Sequence, residues 1–478
     1  MMAGLQVIRI AICIAGVAAS LSAQTPPARP PQQAIAPAPA PTWDAATLEK
    51  KVDELINAYA TAQGFSGSIL LASQGKPLIS KGYGYANAEW QIPNSPQTKF
   101  RIGSITKQFT AMLVMQLRER GRIRLEDSVC VYMEPCPAAW KPVTVHHLLT
   151  HTSGIPTYTA LPAWREVRTL PRTTGQIVAL FRDLPLEWTP GERYAYNNSG
   201  YFLLGVVIEK ITGRKYAEVL QDMILGPLGM MDTGYDWPDS IIPRRASGYV
   251  GTAPKTNAPA IDMHHPFSAG ALYSTVEDLL KWDQALYTET LLPAAAQTIM
   301  WTPFLNNYAY GWTIVQPSDA TFGHRRMIHG GAINGFSAYI ARQPESRVTV
   351  IVLSNNETAS AALPGRDLLA LYHGQPYTVP AVKTVTRTIV PVDSAVLDLY
   401  AGKYEPAPGY ILTIAREENI LTAQLPEGRR VELFPSSQSA FFATAADLTM
   451  TFERDGSGKV THVSITQGGR TRRAKRID

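Results

Sequence analysis

The 478-residue sequence is poor in cysteine and in charge, and it has no long apolar run. Three cysteines are too few for a disulfide scaffold or a Cys-rich zinc site. Charged residues make up 17% against 45% hydrophobic, which excludes the disordered and coiled-coil classes. The 44 Lys and Arg exceed the 39 Asp and Glu by 5, but the excess is diluted over the whole length and gives no support to nucleic-acid binding. The stretch Ile10 to Ala19 is about half the ~20 residues needed to span a bilayer, and no later segment is long and apolar enough. A Gly-x-Ser-x-Gly elbow is missing, which argues against an α/β-hydrolase. His147 and His151 are four apart but lack the His-Glu-x-x-His form, and His264-His265 has no evident third ligand. No metal and no cofactor is therefore expected.

The 36 prolines mark seams. Residues 1–23 carry Arg9, an apolar run and a small-residue end, Ser20-Leu21-Ser22-Ala23, which reads as a secretory signal; an uncleaved signal would be the one expected membrane contact. Cys13 sits too early in that run for a lipoprotein site. In an exported protein Cys130 and Cys136 are expected to form a disulfide, with two unpaired thiols as the alternative. Residues 24–43 are a Pro/Ala-rich linker, 44–378 one domain, 379–392 a second linker and 393–478 a β domain. The expected location is the periplasm or the extracellular space.

The hydrophobic pattern of the larger domain is α+β. Leu48, Val52, Leu55 and Ile56 give helical periodicity over Ala45 to Ala62. Strand-like runs follow at 67–73 and 77–83 around the hairpin signal Gln74-Gly75-Lys76, and strands return at 310–315, 336–341 and 348–353. Helical stretches dominate from about Ser104 to Leu292, and another helix is expected near 361–372. A sheet built from both ends with a helical insertion fits this order. After Asp393, alternation at Leu448, Met450 and Phe452 and at Val463 and Ile465 suggests about six short antiparallel strands in a small meander or partial barrel. The basic run Arg470, Arg472, Arg473, Lys475 and Arg476 reads as a solvated edge strand.

The most informative stretch is Phe100-Arg101-Ile102-Gly103-Ser104-Ile105-Thr106-Lys107. A glycine and a serine open an apolar-periodic helix, where partial positive charge favours a developing anion. Lys107 lies three residues on, which puts its amine within reach of the Ser104 hydroxyl, and a buried lysine loses its charge readily and accepts a proton; the alternative for the pair alone is a plain helix N-cap serine. Tyr194 to Tyr201 places the Tyr196 phenol and the Asn198 amide two residues apart on a loop before an apolar helix, Phe202 to Ile211. His329-Gly330-Gly331-Ala332 precedes a strand and offers flexible backbone amides beside a basic side chain.

Ser104-x-x-Lys107, Tyr196-x-Asn198 and His329-x-Gly331, in that order, resemble the serine β-lactamase and penicillin-binding superfamily. The similarity is to its branch of class C β-lactamases, D-alanyl-D-alanine carboxypeptidases and family VIII esterases. Supporting similarities are the blocks from His147 to Pro156 and from Ser268 to Thr275. The segment Leu399-Tyr400-x-Gly402-x-Tyr404 resembles a lipocalin-like β module. The resemblance implies a β-lactamase-like fold followed by a small antiparallel barrel. It implies that Ser104 is acylated, that Lys107 and Tyr196 share its proton, and that Asn198 binds the substrate amide or orients Lys107. The oxyanion would sit between the Ser104 and Ala332 amides, beside His329 and Gly331. Nearby lysine charge is expected to favour the Tyr196 phenolate.

Two departures bear on the substrate. His329 stands where class C enzymes carry lysine, and a partly charged imidazole attracts a β-lactam carboxylate less strongly. Tyr158 falls where those enzymes place a glutamine that contacts the acyl side chain. The expectation is an exported serine hydrolase that cleaves an amide or ester in a small molecule or peptide, including D-amino-acid and peptidoglycan-derived peptides. Class C-like β-lactamase activity and a non-hydrolytic envelope protein are the alternatives.

Overall fold

The computed structural model describes residues 43–252, 254–381, 388–407, 410–424, 430–443, 448–467 and 470–478. The expected signal and nearly all of the first linker lie outside them, as does part of the second linker.

Helix α1 (Ala45–Gln63) starts where the Asp44 side chain accepts from the Thr47 amide, and it ends at Gly64, whose φ of 71° suits a left-handed cap. It buries Leu48, Val52, Leu55 and Ile56, the stripe read from the sequence, and Tyr59 as well. The main sheet contains β1 (Gly67–Ser73), β2 (Lys76–Tyr83), β3 (Thr313–Val315), β4 (Arg326–Ile333), β5 (Phe336–Gln343) and β6 (Val348–Ser354). Its order is β3-β4-β5-β6-β1-β2, and every pairing is antiparallel. Both ends of the domain thus meet at the β1–β6 ladder, from Gly67 opposite Ser354 to Ser73 opposite Val348.

Alternation along these strands divides the core. Ile69, Leu71, Val350 and Val352 pack with α1 and helix α5 (Ala362–Tyr372). Leu70, Ala72, Ile351 and Leu353 face a larger core with helices α2 (Thr106–Glu119), α3 (Asn198–Thr212) and α4 (Val276–Ala285). A buried ion pair joins α4 to that face, with Arg342 Nε 2.7 Å from Asp283 Oδ1 and the Thr349 hydroxyl donating to Asp283 Oδ2 at 2.7 Å. The expected strand at 310–315 is shorter, because Gly311 turns with φ 78° against α2; a methyl there would stand 2.8 Å from Gln108 Cα.

The C-terminal region has helix α6 (Ser394–Tyr400) and a closed eight-stranded antiparallel barrel around its own core of Leu412, Leu421, Leu433, Phe441, Met450 and Val463. Sequence alternation missed two of its strands, Gly402–Ala407 and Ala440–Ala443. The basic strand Arg470–Arg476 is not an edge: it pairs with Val460–Gln467 on one side and, through Tyr404 opposite Arg476, with the first barrel strand on the other. Among the described residues, no helix is long and apolar enough to cross a membrane.

Candidate active site

Ser104 lies in a single 3-10 turn, Gly103–Ile105, which runs directly into α2. Two glycines press this turn against β4. A methyl on Gly103, whose φ is 50°, would stand 2.9 Å from the Ala332 nitrogen, and a methyl on Gly331 would stand 2.0 Å from the Ile102 carbonyl oxygen. The turn that carries Ser104 and the strand that carries Ala332 are therefore in direct backbone contact, which brings the two candidate oxyanion donors onto facing segments.

Lys107 follows on the first turn of α2 and is fully buried. Its Nζ is 2.9 Å from each of three oxygens: Ser104 Oγ, Asn198 Oδ1 and the Ala269 carbonyl. Burial holds its pKa well below the ordinary lysine value. A neutral amine has two hydrogens and one lone pair. Ala269 O and Asn198 Oδ1 only accept, and the Asn198 amide nitrogen is committed to Thr159 Oγ1 at 3.0 Å. The lone pair is thereby left for the Ser104 hydroxyl hydrogen, the arrangement a proton acceptor needs.

Asn198 is the first residue of α3 rather than a loop residue. Asn197 caps the helix by accepting from the Gly200 amide, and this holds the preceding Tyr196 over the site. The Tyr196 ring centroid is 4.8 Å from Lys107 Nζ, which places its phenol beside Ser104. Desolvation outweighs the lowering effect of the Ser104 hydroxyl and pushes the phenol above its ordinary value. The phenolate expected from lysine charge is thus disfavoured, because burial of Lys107 favours its uncharged form.

His329 also differs from expectation. It is buried, with Nδ1 2.6 Å from the Gly330 carbonyl, so that nitrogen carries the hydrogen. Nε2 then accepts from the Tyr308 hydroxyl at 3.0 Å. Burial first, and Lys107 second, lower its pKa to about 3. Both ring nitrogens are committed within the protein, and the imidazole is neutral rather than partly charged.

Tyr158 belongs to the cavity wall and is buried, and its hydroxyl donates to the His265 carbonyl at 2.5 Å. The cavity beside Ser104 is about 210 Å³, and Trp164, Ile261, Pro266 and Ile333 also line it. Sequence reasoning did not find Tyr308, Thr159 or Trp164. His151, considered only as a metal ligand, instead packs its ring 4.4 Å from that of Tyr196 and accepts from the Asn197 amide through Nδ1. The block from Ser268 to Thr275 was a signal for the Ala269 region, but the contribution is a backbone carbonyl that no side-chain motif encodes. Cys130 and Cys136 are bonded, with S–S 2.03 Å, outside this cluster.

The β-lactamase family profile matches residues 52–374, and a domain of unknown function, DUF3471, matches residues 386–475. Penicillin-binding protein 4* of Bacillus subtilis is 29% identical over 430 residues, which are 84% of this chain and 93% of that protein. An octameric penicillin-binding protein homologue from Pyrococcus abyssi superposes with a TM-score of 0.61 at 27% identity, covering 91% of this chain and 100% of that one. A D-stereospecific amidohydrolase from Streptomyces sp. gives a TM-score of 0.57 at 25% identity, covering 70% and 100%. A match across more than half of the chain, on the fold and the Ser-Lys-Tyr cluster just described, places it in the β-lactamase and penicillin-binding family of serine hydrolases.

Proposed function

We propose that this protein is an exported hydrolase that forms an acyl-enzyme on Ser104 and cleaves an amide or small ester, with D-amino-acid-containing peptides as the favoured amide class. The observation that carries the reading is the 2.9 Å contact between the Ser104 hydroxyl and a buried Lys107 that favours its neutral form. In this reading Lys107 takes the hydroxyl proton as Oγ attacks the carbonyl carbon. The oxyanion forms against the Ser104 and Ala332 amides. Tyr196, a neutral phenol, passes a proton to the departing nitrogen or oxygen and recovers one through Lys107. Water then attacks the acyl ester with the same groups as proton acceptors, and Ser104 is regenerated.

Two features support an amide or ester over a β-lactam. His329 is neutral and internally bonded, so it offers no cation to a β-lactam carboxylate. The likeness to a D-stereospecific amidohydrolase points to amide cleavage. Export is read from the N-terminal pattern, and fractionation of expressing cells tests it.

Parallel turnover of a D-Ala-D-Ala peptide, p-nitrophenyl butyrate and nitrocefin, with Ser104→Ala as the blank, tests the substrate class. The expected result is Ser104-dependent hydrolysis of the peptide or the ester. Rapid nitrocefin hydrolysis with negligible peptide and ester turnover would replace this reading with β-lactamase activity. No Ser104-dependent turnover at all would favour a non-hydrolytic protein.

A further inference from the structure

A second cavity, of about 410 Å³, adjoins the one beside Ser104. Ile261 and Asn334 belong to the walls of both, so the second cavity lies directly beside the first. The two differ chemically. The cavity at Ser104 has no charged side chain in its wall, whereas the adjoining one has Arg101 and Arg245.

These arginines share a single partner. Arg101 Nε is 2.5 Å from Asp236 Oδ2, and Arg245 Nη1 bonds the other oxygen, Asp236 Oδ1. The carboxylate is fully buried, while the guanidinium side chains are 19% and 31% exposed. Two cations on one anion leave a net charge of +1 that the carboxylate cannot neutralise. Asp232 is itself matched by Lys99 and Arg244, while Glu357 and Glu89, close to the opposite wall, accept from the Gly335 amide and the Tyr249 hydroxyl. Each guanidinium has five donors in a planar fork, and the Asp236 contacts use one on each. The forks are also pre-positioned: Asp236 anchors both, and Arg101 lies over the Phe336 ring at 5.8 Å from its centroid. Ordering them for a ligand therefore costs little side-chain freedom.

The position of the two cavities says which part of a substrate would reach them. Tyr196, with His329 and Tyr308 behind it, forms one flank of Ser104, and the leaving atom must meet the Tyr196 phenol. The cavity beside Ser104 is walled by Asn198, Trp164 and Ile261 and by none of Tyr196, Tyr308 and His329, so it stands away from that flank. It therefore suits the acyl portion, which stays on the serine after the bond breaks.

We propose that Arg101 and Arg245 form a subsite for a carboxylate at the distal end of the acyl group, so that the preferred substrate is an acyl compound with a remote acid. This rests on the hydrolase reading above and narrows it to a substrate class.

The test uses p-nitrophenyl monoesters of dicarboxylic acids of increasing length, each paired with the neutral ester of equal chain length. The readout is the ratio of kcat/KM, acidic over neutral, for the full chain. A ratio of about ten or more is expected once the chain spans the two cavities, as a charge-assisted hydrogen bond gives roughly ten- to hundredfold. Arg245→Gln should lower that ratio about tenfold, whereas Arg325→Gln, which alters a surface pair with Glu345 elsewhere, should not change it. Raising salt from 20 to 500 mM should shrink the ratio in the unaltered protein, which decides the matter even if Arg245→Gln fails to fold. A ratio near or below one at every length, a ratio unaffected by salt, or one kept by folded Arg245→Gln would overturn the subsite while leaving the hydrolase reading intact. If neither ester series is hydrolysed and Ser104 takes no covalent label, the hydrolase reading fails and the subsite fails with it.

Discussion

Replacing Gly331 with alanine should damage catalysis far more than it damages the fold, and the adjacent Gly330→Ala should do neither. A methyl at position 331 would lie 2.0 Å from the Ile102 carbonyl oxygen, two residues before Ser104. Ordinary contact between such atoms is about 3.5 Å, so the turn and β4 must separate by roughly 1 Å or more. At position 330 the nearest atom to an added methyl is the Ala338 oxygen at 3.8 Å, which is ordinary contact. Overpacking of this kind costs about 1–3 kcal/mol of stability. Loss of one oxyanion donor, or a misplacement of about 1 Å, lowers kcat roughly 10²- to 10³-fold. Thermal melts and single-turnover acylation of both variants check this, with intact melting transitions as the control. If Gly331→Ala acylates within about threefold of the parent, or if Gly330→Ala is equally impaired, the close approach of Ile102 and Gly331 is not what forms the oxyanion pocket.

Lys107→Met keeps the buried volume but removes the lone pair facing Ser104, so acylation should fall about 10²- to 10⁴-fold while the protein still folds; single-turnover labelling and a melt measure both. His329 has a folded pKa of about 3 against an ordinary 6.5, so the unfolded chain binds more protons across that interval. Stability is therefore lost as pH falls from about 6.5 toward about 3, by up to a few kcal/mol, and urea midpoints at pH 7 and pH 4.5 should diverge more for the parent than for His329→Gln. Asp283→Ala strands the buried Arg342 guanidinium and should cost about 3–5 kcal/mol, read by denaturant unfolding.

The chemistry was most legible where it depends on local spacing. Ser104 and Lys107 are one helical turn apart, so the sequence alone brings their polar atoms together. Tyr196 and Asn198 needed the resemblance, since a Tyr/Asn pair before a helix is ordinary turn chemistry until Asn197 is seen capping α3. Tyr308, His151 and the Ala269 carbonyl contribute through tertiary packing across distant segments, which no local pattern records. Charge states were misjudged for a related reason. The phenolate at Tyr196 assumes a charged Lys107 and the partial charge at His329 assumes solvent, whereas both Lys107 and His329 are buried and favour their neutral forms. In the barrel, alternation revealed the longer strands, but Ala440–Ala443 has four residues and Gly402–Ala407 contains Glu405 and Pro406, so neither shows a clear period. Arg470–Arg476 read as an edge because charge lies outward there, yet Ala474 turns inward and the strand closes the barrel.

The central claim is that Ser104 is a nucleophile activated by a neutral Lys107. Incubation of the full chain with a fluorophosphonate probe, followed by intact mass and peptide mapping, tests it most directly. The account predicts one adduct on the peptide containing Ser104, slowed at least a hundredfold in Lys107→Met and absent in Ser104→Ala. No adduct on the parent protein, or equal labelling of Ser104→Ala, would contradict it.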